Sequence, residues 1–234
     1  MGLNPSKGDM YEFITHTWNT IKGRCFHNCS YCYMKKREHE QSPSHLDYTE
    51  FKTDLGYENF IFVGSGIDLF AQDIPKEWIK RTLDYCYQAN TNNLFGATNK
   101  YLFQSKNPRR IIDFINHPIF AYAFVCTTIE TNRDYPSIMR NSLKIEERVL
   151  AMEEISQIWG IDTYVTVEPI MDFDLEEMIT AIRRCHPKQV NFGKNTNKDV
   201  LLTEPDKTKA RQLILAVKEF SQIHIKENLK KKSI

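Results

Sequence analysis

Apolar residues along this chain recur with two alternating periods. Short apolar runs at 13–18, 60–63, 101–105, 120–127, 163–167 and 189–192, rich in aromatic and β-branched residues, read as strands. Helical spacing fills the stretches between them. A charged helix follows the first strand and runs to about Glu40; the next opens at Asp73 and Pro75 and turns Ile79, Leu83, Cys86 and Tyr87 to one side. Asn107-Pro108 opens another, and residues 144–159 carry Ile145, Val149, Met152, Ile155 and Ile158 in one stripe. Asp174, with Glu177 three residues later as in a capping box, starts a helix burying Leu175, Met178, Ile179 and Ile182. Residues 203–206 open a last helix with Leu213, Ile214, Val217 and Phe220 inward. The alternation amounts to six βα units and predicts an α/β fold on a parallel sheet, with its site beyond the carboxyl ends of the strands.

Such units build either a doubly wound sheet or a barrel that does not quite close. Gly64-Ser65-Gly66 follows a strand as a dinucleotide fingerprint does, but Leu69 stands where the third glycine is required. At 234 residues the chain suffices for one substantial core, and a single domain over 1–234 is expected, its core at about 13–222 and a basic tail at 224–234. A net charge of +1 offers no global attraction to nucleic acid or membrane, so a polyanion would need a local patch. No apolar run reaches transmembrane length. Six cysteines without an apolar leader favour the reducing cytoplasm over a disulfide framework, and Cys86, Cys126 and Cys185 fall in apolar periodic segments as buried thiols do.

The remaining three form the run Cys25-Phe26-His27-Asn28-Cys29-Ser30-Tyr31-Cys32. Three closely spaced thiolates can hold three corners of a [4Fe-4S] cluster and leave the fourth iron open. The alternative is zinc, since His27 would complete a Cys3His set. A cysteine loop after the first strand, together with the missing glycine, favours a partial (βα)6 TIM-type barrel. Polar residues then gather at the expected strand ends: Gln104, Ser105 and Lys106; Thr127, Thr128, Glu130 and Asn132; Glu168; and Asn191, Gly193 and Lys194.

The run resembles the signature of the radical S-adenosylmethionine (SAM) superfamily, which shares the partial barrel. That resemblance implies that Cys25, Cys29 and Cys32 bind a [4Fe-4S] cluster, that SAM docks on the open iron, and that its reductive cleavage yields a 5'-deoxyadenosyl radical. It places Tyr31 near the adenine and Gly64, Ser65, Gly66 and Asp68 near the cofactor's amino group. Thr128, Glu130, Glu168 and Asn191 are further cofactor contacts on the same reading. The acidic residue that usually follows two adjacent glycines in the superfamily is absent here. The blocks Thr17-Trp18-Asn19, Cys32-Tyr33, Asp68-Leu69-Phe70, Asn107-Pro108-Arg109 and Val167-Glu168-Pro169 are similar to a phage- and mobile-element-associated three-cysteine-motif family. Spore photoproduct lyase-like repair enzymes share the Cys-x-Tyr-Cys-Tyr ending. These likenesses imply a nucleobase, nucleoside or nucleic-acid substrate and a reductant such as flavodoxin or ferredoxin. Modification of a peptide, or a non-catalytic iron-sulfur or zinc-binding partner role, is the alternative.

Overall fold

The computed structural model describes residues 3–8, 10–40, 42–92 and 96–233, with only the backbone of 37–40 and 231–233. Its strands are β1 (Asn4–Pro5), β2 (His16–Trp18), β3 (Ile21–Lys22), β4 (His45–Leu46), β5 (Phe60–Val63), β6 (Lys100–Gln104), β7 (Ala123–Thr128), β8 (Asp162–Val167), β9 (Gln189–Phe192) and β10 (Gln222–Ile225). The helices are α1 (Lys76–Thr91), α2 (Arg109–Ile112), α3 (Pro136–Met139), α4 (Ile145–Ser156), α5 (Leu175–Arg184), α6 (Lys207–Lys218) and α7 (Glu227–Ser233). Eight strands form one sheet in the order β1-β2-β5-β6-β7-β8-β9-β10, and β3 pairs with β4 in a separate ribbon. Only β1 runs antiparallel to its neighbour in the large sheet. The architecture is the expected α/β partial barrel of parallel strands, with β1 and β10 as its edges.

Period-two alternation divides the sheet into two faces. Ile61, Val63, Tyr101, Phe103, Val125, Val165, Val167, Val190 and Phe192 pack outward in the main core with Ile79, Leu83, Val149, Met152, Met178, Ile182, Leu213 and Val217 of the helices. Phe62, Leu102, Cys126 and Tyr164 turn inward to the lumen, where Tyr11 and Ile14 join them. Phe13 plugs the lower lumen, its ring 5.0 Å from Phe60 and edge-on to Tyr164 at 5.5 Å. That role takes it out of the first strand, which begins at His16 after a turn closed by Ile14 N–H on the Tyr11 carbonyl.

Several boundaries move for identifiable reasons. The segment after the cysteines, Tyr33–Glu40, is a 3-10 helix. Pro118–Tyr122 is a 3-10 turn accepted at its start by His117, which delays the fourth expected strand to Ala123. Asp174 makes no side-chain cap on α5, because its carboxylate takes the Arg133 guanidinium at 2.6 and 2.9 Å instead. The last long helix starts at Lys207, capped by Asp206 accepting from Lys209 N–H at 2.8 Å. The sheet also passes both expected limits of the core. Asn4–Pro5 joins one edge, and Gln222–Ile225 adds a parallel strand beyond the six expected. The start of the supposed basic tail is therefore built into the fold, and Lys226 is only 8% exposed.

Candidate active site

The carboxyl ends of the parallel strands surround one cavity of about 690 Å³. Cys25, Cys29, Cys32 and Tyr31 enter it from the loop after β2, and Gly64, Ser65, Gly66 and Asp68 from the loop after β5. Gln104, Ser105 and Lys106 line it beyond β6, Thr128 at the end of β7, Glu168 beyond β8, Lys194 beyond β9 and Lys226 beyond β10. Of the sequence-predicted site residues, Glu130 and Asn191 lie outside this lining; both are fully buried.

All three cysteines of the run are free thiols. Burial, then the nearby Asp68 charge, pushes the Cys25 thiol up to about 12, while the backbone N–H groups of Asp68 and His27 act in the opposite direction. Burial also raises Cys32, opposed by the Met34 backbone N–H. Backbone amides directed at sulfur favour the thiolate, the form that binds metal. Among the described residues no three His, Cys, Asp or Glu side chains converge on a single ion position. In a cubane each thiolate meets a different iron, so three closely spaced thiols on one loop can hold three of its corners. His27 Nε2 lies 2.7 Å from Asp68 Oδ2, while its buried Nδ1 has no partner.

Asp68 is the hub that fastens the cysteine loop to the sheet. Its Oδ2 also accepts from Ser105 Oγ at 2.9 Å and Lys106 N–H at 2.8 Å, and Oδ1 accepts from Phe70 N–H at 2.9 Å. Burial by itself would raise its carboxyl, but His27 and the backbone donors hold it below the usual aspartate range. The neighbouring glycine loop is fixed by close approach: Gly64 has φ +79°, and a Cβ there would lie 2.9 Å from the Ile67 carbonyl. Asn19 Oδ1 accepts from Gly66 N–H at 2.8 Å and Ser65 Oγ at 3.2 Å, while the Tyr33 hydroxyl donates to the Ser65 carbonyl at 3.0 Å.

Tyr31 leads into a second network. Its hydroxyl donates to Glu130 Oε1, which also receives Lys106 Nζ; Lys106 donates to the Tyr31 oxygen at 2.7 Å as well. Arg148 donates to Glu130 Oε2 at 2.9 Å, to the Thr128 carbonyl at 2.8 Å and to the Leu143 carbonyl at 2.8 Å. Both Glu130 and Arg148 are 0% exposed. Burial would raise the glutamate, yet Arg148 and Lys106 override it and hold its carboxyl down at about 2. Both Glu130 oxygens accept from protein donors, Oε1 from Tyr31 and Lys106 and Oε2 from Arg148. Arg148 escaped the sequence reading although a signal existed: it falls three residues after Ile145 and four before Met152, a charge inside the apolar stripe of α4.

Across the cavity stands Glu168, gripped by Lys226 Nζ with 2.9 Å to each carboxylate oxygen. Gly193 makes room for it, since a Cβ there would come within 2.8 Å of the Glu168 carboxyl group. Lys226 Nζ also lies 5.1 Å from the Tyr11 ring centroid, and the Tyr11 hydroxyl donates to Gln104 Oε1 at 2.9 Å. Gln104 Nε2 in turn donates to Thr128 Oγ1 at 3.3 Å. Tyr11 and Lys226 carried no local signal, because only the curl of the sheet brings the two chain ends together.

No protein-family model matches the chain, and no curated protein matches it by sequence. Solved structures do match in shape. Spore photoproduct lyase, as a cysteine-to-alanine mutant holding a dinucleoside spore photoproduct, superposes with a TM-score of 0.62 at 9% identity, covering 96% of this chain and 81% of that one. A tyrosine-to-phenylalanine mutant of spore photoproduct lyase gives 0.61 at 9% identity, with 95% and 80% covered. The likeness is one of fold: this chain has the partial-barrel α/β architecture of those structures.

Proposed function

We propose that this chain is a radical SAM enzyme acting on a nucleobase or nucleoside, free or within a nucleic acid. The observation that carries the reading is the Cys25-Cys29-Cys32 loop folded over the carboxyl-terminal mouth of a partial parallel barrel, on the wall of one large cavity. Spore photoproduct lyase, its neighbour in fold, is a radical SAM enzyme, and the narrower kinship to the phage-associated three-cysteine-motif family rests on the short sequence blocks. The three cysteines would hold a [4Fe-4S] cluster as thiolates. When bound there with SAM, the cluster supplies a 5'-deoxyadenosyl radical by one-electron cleavage of the sulfonium.

The chain's own residues orient and enclose. His27 and Asp68 hold the cysteine loop against the ends of β5 and β6, and the Gly64–Gly66 turn lets a ligand approach the backbone beside it. Lys106, held by Glu130, keeps its ammonium at the cavity wall, where it suits a carboxylate such as the cofactor's. Tyr31 offers its ring beside Lys106, at 5.1 Å from Nζ. On this reading Gly64, Ser65, Gly66, Tyr31 and Thr128 contact the cofactor, Asp68 and Glu130 position those contacts, and Glu168 and Asn191 belong to the substrate side.

Charge supports a phosphate-bearing substrate over a neutral one. The lining carries Lys7, Arg24 and Lys35 besides Lys36, Lys106, Lys194 and Lys226, which pair with Asp199, Glu130, Glu204 and Glu168, on a chain whose net charge is only +1. A cytoplasmic flavodoxin or ferredoxin is the reductant this chemistry calls for. Among the described residues no helix is long and apolar enough to cross a membrane.

The test is anaerobic reconstitution with iron and sulfide, then SAM and dithionite. About four irons per chain and release of 5'-deoxyadenosine are expected. Zinc retained in place of iron, or an intact cluster that leaves SAM uncleaved, would refute the enzyme and leave a metal-binding partner role.

A further inference from the structure

Asp68 is not alone in holding the cysteine loop; α3 and the turn that follows it grip the same loop. Ser30 N–H donates to the Ile138 carbonyl at 2.9 Å, Asn141 N–H to the His27 carbonyl at 3.2 Å and Asn141 Nδ2 to the Phe26 carbonyl at 2.9 Å. Tyr135 and Ile138 pack with Cys29 and Tyr31 in one apolar group. The turn itself is fixed on both sides of Ser142. Arg140 takes φ +52°, which residues other than glycine rarely adopt, and the Leu143 carbonyl accepts from Arg148 Nε at 2.8 Å. Between them Ser142 donates its N–H to the Met139 carbonyl at 3.2 Å and brings its hydroxyl to 3.3 Å from Cys29 Sγ.

The direction of that last hydrogen bond depends on what the sulfur binds. A free thiol can give its proton to the serine oxygen. A metal-bound thiolate has no proton, so the hydroxyl must donate to sulfur. Cys25 and Cys32 are served differently, by backbone N–H groups of Asp68 and His27 and of Met34. Cys29, buried where the other two are half-buried, receives a side-chain hydroxyl from 113 positions away. Donors to a ligand sulfur draw charge off the metal and are among the features that set an iron-sulfur potential.

We propose that Ser142 is a positioning residue for electron transfer, its hydroxyl donating to the Cys29 sulfur and raising the reduction potential of the cluster held there. The inference rests on the iron-sulfur reading above. The step concerned adds one electron from the external reductant to the oxidised cluster; Ser142 keeps its proton and no bond to sulfur breaks. Part of the added negative charge falls on the thiolates, so the hydroxyl stabilises the reduced state more than the oxidised one.

A redox titration followed by electron paramagnetic resonance tests this on the full chain, reconstituted anaerobically with iron and sulfide and reduced with dithionite. Ser142→Ala should make the cluster about tenfold harder to reduce, a fall of about 59 mV in midpoint potential for one electron. Ser142→Thr keeps the hydroxyl and should stay near wild type. Asn141→Ala removes the neighbouring contact to Phe26 without touching sulfur, so it should lower iron retention and leave the potential in place. Equal potentials for wild type and Ser142→Ala, or for Ser142→Thr and Ser142→Ala, would overturn the inference while sparing the cluster. So would a Ser142→Ala chain that assembles no cluster, or a shift shared in full by Asn141→Ala, since either makes the turn a purely structural support. A wild-type chain that takes up no iron would sink the iron-sulfur reading and this inference with it.

Discussion

Removing Arg148 isolates the most deeply buried charge in the site. Arg148→Met keeps the length and apolar stem of the side chain while leaving Glu130, 0% exposed, without the guanidinium on Oε2. Breaking a buried pair by removing one partner costs about 3–5 kcal/mol. The Glu130 carboxyl is held at about 2 against an ordinary 4.5 by Arg148 and Lys106 together, Arg148 being the larger of the two, a net gap worth about 3 kcal/mol. The sign follows from the direction. A carboxyl depressed on folding contributes stability that is full well above 4.5 and fades as pH falls from there toward 2. By pH 3 about 1 kcal/mol of that contribution remains. Urea unfolding of wild type and Arg148→Met should therefore differ by about 3–5 kcal/mol at pH 7, with an unchanged m-value, and by less than half as much at pH 3. In melting temperature the pH 7 difference is roughly 6–20 °C for a chain of this size. Glu130→Gln in the Arg148→Met background should recover part of the loss, because no uncompensated charge is then buried. A difference under about 1 kcal/mol, or one independent of pH, would refute the claim that Arg148 neutralises Glu130.

Three further outcomes test the rest of the site. Cys29→Ala should lose most of its iron after reconstitution and keep its circular dichroism; full iron retention would contradict its role as a ligand. Asp68→Ala removes four hydrogen-bond acceptances, from His27, Ser105, Phe70 and Lys106, and should lower iron loading and expose the cysteine loop to proteolysis while α1 to α6 stay folded; an unchanged digestion pattern would deny that Asp68 anchors the loop. Gly193→Ala drives a Cβ to 2.8 Å from a carboxyl group that Lys226 holds at both oxygens, so it should cost about 1–3 kcal/mol and be largely rescued by Glu168→Ala; absence of rescue would place the strain elsewhere.

The site was legible where its information is local. The spacing of Cys25, Cys29 and Cys32 and the position of Gly64–Gly66 after a strand could be read directly, because a strand end and a short loop are set by adjacent residues. Asp68 and Glu130 stood out as polar residues at strand ends, but their partners did not. His27 reaches Asp68 across 41 positions and Tyr31 reaches Glu130 across 99, distances over which no periodicity carries information. That Arg148 meets Glu130 was not legible either, since it comes from the buried face of a helix whose rotation only packing sets.

The order of hydrophobic periods determined by itself that strands and helices would alternate, that their apolar stripes would meet in a parallel α/β layer, and that the cysteine loop would follow the first inner strand. Periodicity does this because burial of a stripe is decided residue by residue along a single element. Tertiary structure alone decided how far the sheet extends and what fills its lumen. The curl of the sheet carries Lys226 from the last strand to Tyr11 and Glu168, and strand register lines up Thr166 with Asn191. Register and curl emerge from all the strands packing together, and no single segment of the chain encodes them.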